Sequence, residues 1–392
     1  MCGAPAIPGR SGAIGCNATT QWVSKRRGKV EPESSGEEQA LAERTGPLRR
    51  RLLIGVSVAV TVLALAAAAG LAVMGNETHN PPWVDWATYS DALQRLVHGQ
   101  SIFDSRQLSG PYYLPDITTT GYVYPPASLP LFAPFGNQPI GLVAWLALNV
   151  GLLVSGIYAI LRRELGADGV MYLGVAILPV IFWIGFLNGL TAGNVTIGLS
   201  GVLAWAWALG RQRTPPVAVA VIAVAKMFPA ILVCWTTRER LVRSALTAAA
   251  IAGAWCLITL PFVGLNSWFD FLRALGNAQP TCSYGPSVSC LLQPALGISL
   301  AKLAALALAG ALGLGAVFVR SDFVAFTLIA LAWIAPVSDF SNYSLMPLFV
   351  VWVVAFAIAM RRLRSVEIGP AGPALRRLAS RVRPPSGIQS GR

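Results

Sequence analysis

The chain alternates long hydrophobic stretches with short polar breaks, most of them basic. The run at 52–73 follows Arg49, Arg50 and Arg51 directly. At about 1.5 Å per residue it is long enough to cross a hydrocarbon core of about 30 Å. The fifty polar residues ahead of it and its own length favour a retained anchor over a cleaved signal peptide. Further runs at 139–161, 170–187, 194–209, 241–263, 296–319, 323–334 and 344–360 bring the expected full crossings to eight. Two other apolar stretches are interrupted, 122–135 by four prolines and 215–235 by Lys226 and Pro229. Each is too broken for an ordinary span and too apolar for an open loop, which predicts a re-entrant segment and a hairpin of two half-helices lining a cavity. The expected fold class is all-α, a polytopic transmembrane helical bundle of roughly eight full spans plus short broken helices. Residues 1–50 read as a disordered basic tail, 51–360 as the transmembrane domain and 361–392 as a second basic tail.

Composition agrees with the pattern. Hydrophobic residues make up 55% of the chain and charged residues 12%, with mean hydropathy +0.59, more apolar surface than a water-soluble domain can hide. The net charge of +13 would suggest nucleic acid on a soluble chain, but the basic residues sit outside the apolar runs, where membrane topology accounts for them. Residues 1–51 carry nine basic and five acidic side chains, and 361–392 carry eight basic ones with Glu367 as the acid. Both termini are therefore expected in the cytoplasm of a multi-pass plasma-membrane protein. Residues 75–138, 188–193, 264–295 and 335–343 then face outside. Of the six cysteines, Cys282 and Cys290 lie in the second long outer loop, where disulfides persist, and are expected to pair. Two histidines, no CxxC and no HExxH leave a zinc site without ligands. No Walker A sequence or dinucleotide fingerprint is present, so no cofactor is expected.

The first outer loop reverses the overall charge. Residues 75–124 hold Glu77, Asp85, Asp91, Asp104 and Asp116 against Arg95 and Arg106, together with eight aromatic residues. Acids beside aromatic faces suit a carbohydrate site, although an interfacial aromatic belt with solvated acids has the same composition. From Asp85 onward, Tyr89, Ala92, Leu93 and Leu96 fall at helical intervals, which predicts a short amphipathic helix at the membrane surface. Asp85 starts it. There it is either a base kept ionised by the helix dipole or only an N-cap. Lys226, near mid-membrane, is either functional or snorkels to the interface. Arg273 in the second outer loop is either a phosphate ligand or a surface arginine beside Asp270. Asn194 and Asp339, polar at span ends, either line a site or cap helices.

Several segments occur in an order that resembles a known family: Asp85-Trp86-Ala87-Thr88-Tyr89, Leu96-Val97-His98-Gly99-Gln100-Ser101-Ile102-Phe103, Tyr122-Val123-Tyr124-Pro125-Pro126, Gly193-Asn194-Val195-Thr196, Lys226-Met227-Phe228-Pro229, and Ala335-Pro336-Val337-Ser338. The chain from about residue 50 to 360 is thereby similar to the GT-C class of membrane glycosyltransferases, and within it to glycosyltransferase family 87, the actinobacterial alpha-mannosyltransferases. Two departures are visible. Gly-Gln is more usual where Gly193-Asn194 stands, and a Trp followed by His-Tyr where Asp339 to Tyr343 stands. The resemblance implies transfer of mannose, with inversion, from a polyprenyl-phosphate-mannose donor lipid to a mannosylated lipid or glycan acceptor on the extracytoplasmic side, in cell-envelope synthesis. Asp85 would be the base, Lys226 and Arg273 the donor phosphate ligands, and Trp86, Tyr89, Tyr122, Tyr124, Asn194 and Asp339 would contact sugar or acceptor. Partners would be those lipids and the bilayer, with no nucleic acid and no metal. The competing readings are a transporter or lipid carrier, which the broken helices also suit, and an inactive scaffold subunit of an envelope-glycan complex.

Overall fold

A computed structural model describes residues 35–75, 83–114, 121–136, 139–280, 287–336 and 342–368. The chain divides into Met1–Arg49 and Arg50–Arg392. The fourteen α-helices among the described residues run in the order α1 (Ser35–Gly75), α2 (Val84–Val97), α3 (Ser105–Ser109), α4 (Leu129–Phe132), α5 (Pro139–Leu165), α6 (Leu173–Ile181), α7 (Ile184–Ala192), α8 (Thr196–Leu209), α9 (Pro216–Ala225), α10 (Leu241–Val263), α11 (Leu265–Asn277), α12 (Val288–Phe318), α13 (Asp322–Ile334) and α14 (Met346–Ile368). Two three-residue strands, β1 (Tyr112–Leu114) and β2 (Ala278–Pro280), pair in parallel. The protein is an all-α membrane protein, as its hydropathy predicts.

Span lengths differ from that expectation. Five helices are long and apolar enough to cross a membrane, against eight expected full crossings, and three shorter apolar helices accompany them, Thr196–Leu209, Pro216–Ala225 and Asp322–Ile334. The run at 170–187 is not one span. It breaks at Phe182 and Trp183 into α6 and α7, with Pro179 in the last turn of α6 and Trp183 extended at ψ 129°. At the other end of the chain, α1 starts at Ser35, inside the stretch expected to be disordered. Residues 37–42 (Glu-Glu-Gln-Ala-Leu-Ala) are all strong helix formers, and the two glutamates favour the positive end of the helix dipole.

The interrupted stretches do form broken helices. Residues 126–135 form a 3-10 turn, the four-residue α4 and another 3-10 turn. Pro126, Ala127, Ser128 and Leu129 are buried, so this irregular backbone lies within protein rather than in lipid. In 215–235, α9 ends at Ala225, Lys226 is extended (φ −159°, ψ 121°), and a 3-10 segment Phe228–Trp235 packs against α9. The centre of the bundle is α5 against α8, where a Cβ on Gly156 would meet the Gly201 carbonyl and one on Gly201 the Leu152 carbonyl, so neither position has room for a side chain. Buried Asn149 of α5 donates to the Trp145 carbonyl at 2.9 Å and accepts from the Gly198 amide at 3.1 Å. It thus satisfies a donor in the first turn of α8 that the helix itself leaves unpaired.

Candidate functional site

The start of α2, the start of α8 and the end of α9 meet at one place. α2 is entered through Trp83, which is left-handed (φ 62°) and whose amide donates to the Thr191 carbonyl at the end of α7, at 2.9 Å. Trp83 holds the N-cap position without a side-chain cap bond, so Asp85, inside the first turn, is not the cap. Its carboxylate turns instead toward α8. Asn194 Nδ2 donates to Asp85 Oδ2 at 2.6 Å, while Asn194 Oδ1 accepts from the Thr196 amide at 2.8 Å. One side chain thus accepts from the first amide of α8 and holds the acid. Thr196 Oγ1 accepts from Lys226 Nζ at 3.0 Å, and the ammonium lies 6.0 Å from the centre of the Tyr124 ring. A polar chain therefore runs from Asp85 through Asn194 and Thr196 to Lys226, joining an acid and a base from distant parts of the sequence.

Around it the aromatic residues are packed. Trp86, Tyr89, Tyr122 and Tyr124 are 6%, 1%, 2% and 4% exposed. Tyr89 stacks on Phe132 (4.2 Å between ring centres), meets Tyr124 edge-on (5.1 Å) and donates its hydroxyl to that of Tyr124 at 2.9 Å. Tyr122 bonds Ser128 and the Pro125 carbonyl. Each of these four rings, expected to contact sugar or acceptor, is covered by its neighbours. Their role in this structure is to fix the backbone behind Asp85. Trp86 leans on Trp145, whose indole donates to the Gly193 carbonyl at 2.8 Å. Gly193 itself is left-handed (φ 70°), and a Cβ there would lie 3.0 Å from the Trp86 Cβ. Only glycine meets both demands.

Burial pushes the Asp85 carboxyl above its ordinary value, against the opposing effects of the Asn194 hydrogen bond and the Lys226 charge. Desolvation thus outweighs the charge-favouring contacts of Asn194 and Lys226. A carboxylate raised in this way is a stronger proton acceptor once ionised. Burial, and then the neighbouring Tyr124 and Asp85, hold the Tyr89 hydroxyl well above the usual phenol value, so it stays a donor.

Other expected site residues fall elsewhere. Arg273 is exposed on α11 and, among the described residues, forms no hydrogen bond or ion pair with the Asp85 cluster. Asp339 and Cys282 lie outside the described residues. Cys290 is disulfide-bonded, and its partner is not among the described residues, where Cys234 and Cys256 are free. Among the described residues no three His, Cys, Asp or Glu side chains are gathered as a metal ion would need. Sequence reasoning left Thr196, Trp145 and Asn149 without roles. Thr196 stood inside a quoted segment, and its position at the start of an apolar run was the available signal. Trp145 and Asn149, inside an apolar run, gave none.

The profile described as Glycosyltransferase family 87 matches residues 122–367. That range includes Tyr122, Tyr124, Asn194, Thr196 and Lys226 and begins after α2, which supplies Asp85. No curated protein and no solved structure matches the chain.

Proposed function

This chain belongs to glycosyltransferase family 87, and from that premise we propose that it moves mannose from a polyprenyl-phosphate donor to a hydroxyl of a glycan or glycolipid on the extracytoplasmic side of the cell membrane. The attacking hydroxyl forms a bond to the anomeric carbon as the bond from that carbon to the phosphate oxygen breaks. The hydroxyl proton passes to Asp85 and the bond's electron pair leaves with the lipid phosphate. One displacement inverts the anomeric centre. Asn194 engages Asp85 at Oδ2, which leaves Oδ1 for the acceptor. The lipid monophosphate leaves as an anion that the Lys226 ammonium meets, a task for which a nucleotide diphosphate donor would usually require a metal. Arg273 and Asp339 stay candidates for donor phosphate and acceptor.

The observation that carries this reading is the polar chain through Asn194 and Thr196 that links a half-buried carboxylate to a half-buried ammonium. An acid and an ammonium at the two ends of such a chain suit a reaction that releases a proton at one end and an anion at the other. Beside α9 an apolar cavity of about 200 Å³ is lined by Leu131, Val217, Val221, Val224, Ile251 and Trp255, a lining compatible with an isoprenoid tail whose phosphate reaches Lys226. The deciding assay offers purified protein in nanodiscs a labelled polyprenyl-phosphate-mannose and a panel of mannosyl lipid acceptors, with polyprenyl-phosphate-glucose and a nucleotide-mannose as competing donors. Mannose transfer with inversion from the polyprenyl phosphate alone is expected. Movement of the donor across the bilayer without transfer would support a carrier, and absence of both would support a scaffold subunit.

A further inference from the structure

α11 follows α10 with a single residue between them, Gly264 at φ 76°. α10 belongs to a full-length apolar span and shows Leu257, Ile258 and Phe262 to its surroundings. Its last turn therefore lies at one face of the bilayer, and α11 starts there. At 100° per residue α11 divides into three faces. Ser267, Phe271 and Ala274 are buried against the protein. Leu265, Phe269, Leu272 and Leu275 form an apolar ridge, 58%, 62%, 62% and 41% exposed, with Trp268 at its rim. Asn266, Asp270, Arg273 and Asn277 make a polar strip on the third side. A helix in water has no use for the ridge, and a buried helix has none for the strip.

We propose that α11 lies in the plane of the membrane interface, with the Leu265–Phe269–Leu272–Leu275 ridge among lipid acyl chains and Arg273 at the level of the headgroup phosphates. Continuity with the lipid-facing side of α10 identifies the occupant as the bilayer. The aromatic rim at Trp268 is where interfacial belts place tryptophan. The consequence reaches the site, because α11 is fastened to the segment after α2. Asp270 accepts from Ser101 Oγ at 2.6 Å, Asn277 Nδ2 donates to the Gln107 carbonyl at 2.9 Å, and Phe271 packs on Phe103. The lipid surface thereby sets the height of the segment from Ser101 to Gln107. The proposal does not depend on which sugar is moved.

The test uses full-length protein in proteoliposomes of phosphatidylethanolamine and phosphatidylglycerol, carrying Cys2→Ser, Cys16→Ser, Cys234→Ala and Cys256→Ala. Spin labels are placed one at a time through Phe269→Cys, Leu272→Cys and Asn266→Cys, with Leu257→Cys as the in-membrane reference, and only variants eluting like the parent are read. Labels at 269 and 272 should collide with oxygen several-fold more often than with a water-soluble nickel chelate, as at 257, and the label at 266 should show the reverse. Nickel access at 269 and 272 equal to that at 266 would overturn the proposal by putting the ridge in water. Exclusion of both reagents at 269 and 272 would overturn it in favour of a protein partner such as a second copy.

Discussion

Asp85 and Asp91 are both carried by α2, yet six residues of helix point them about 120° apart. Asp91 faces water and takes Arg95 as an i,i+4 partner at 2.7 Å, with Arg95 also reaching Asp104 at 3.1 Å. Asp85 faces Asn194 and the polar chain to Lys226. Asp85→Asn keeps the shape and cannot take a proton, so transfer should fall about 100- to 10,000-fold while donor binding persists, and Asp91→Asn should lose little. Transfer rates measured for both variants in membranes check this, and the reverse ranking would remove Asp85 as base. The pH dependence follows from the raised carboxyl. Transfer should grow as pH rises through a value above the ordinary carboxylate range. Stability should do the opposite: the folded state holds its proton longer than the unfolded chain, so stability falls as pH climbs from the unfolded carboxyl value to the folded one. Asp85→Asn, neutral throughout, should therefore melt no lower than the parent at neutral pH. Lys226→Ala should weaken use of the lipid-phosphate donor by about 1.5 to 3 kcal/mol, roughly 10- to 100-fold, with expression unchanged. Unaltered donor kinetics would return Lys226 to a snorkelling role.

At the level of elements, the site depends on places where helices stop. α9 ends to release Lys226, α7 ends at Gly193 so that Asn194 can turn back on Asp85, and α2 begins at a strained Trp83. Some of this was legible in the sequence. The charged Lys226 and the prolines around it could not sit in an ordinary span, and the spacing from Asp85 onward marked α2. The break at Phe182 and Trp183 was not legible, since a run that is apolar on every side carries no phase from which to read an interruption, and Pro179 alone left its place open. The covering of Tyr89, Tyr122 and Tyr124 was hidden for another reason: composition shows that rings are present and not which of them stack on one another. Gly193→Ala tests the element scale. It forces a side chain into a left-handed position and against Trp86, so it should cost about 1 to 2 kcal/mol of stability. Transfer should drop as well, because Asn194 moves with it. A melting temperature and rate equal to the parent's would show that the turn tolerates a Cβ.

For the molecule as a whole, the two loop regions that flank the site are one structure. β1 pairs with β2, and Ser101, Phe103 and Gln107 are tied to α11 across more than half the length of the bundle domain in sequence. Such pairings leave no trace in hydropathy, which is why the two loops read as separate. The chain that leaves β2 returns to the bundle at the start of α12, where Ser287 Oγ accepts from the Cys290 amide at 3.1 Å and Cys290 is buried and disulfide-bonded. Cys282 is the partner expected on sequence grounds, since the intervening residues include Gly285 and Pro286, which turn a chain readily. A bridge there would close the loop between the β1–β2 pair and the bundle. Closing so short a loop should stabilise the folded state by roughly 2 to 3 kcal/mol. Non-reduced peptide mapping should return a linked peptide containing Cys282 and Cys290. Reduction should lower the melting temperature, and Cys282→Ser should reproduce the loss without further effect of reductant. A free thiol at Cys282 in the mapped protein would assign Cys290 a different partner and detach the bridge from this loop.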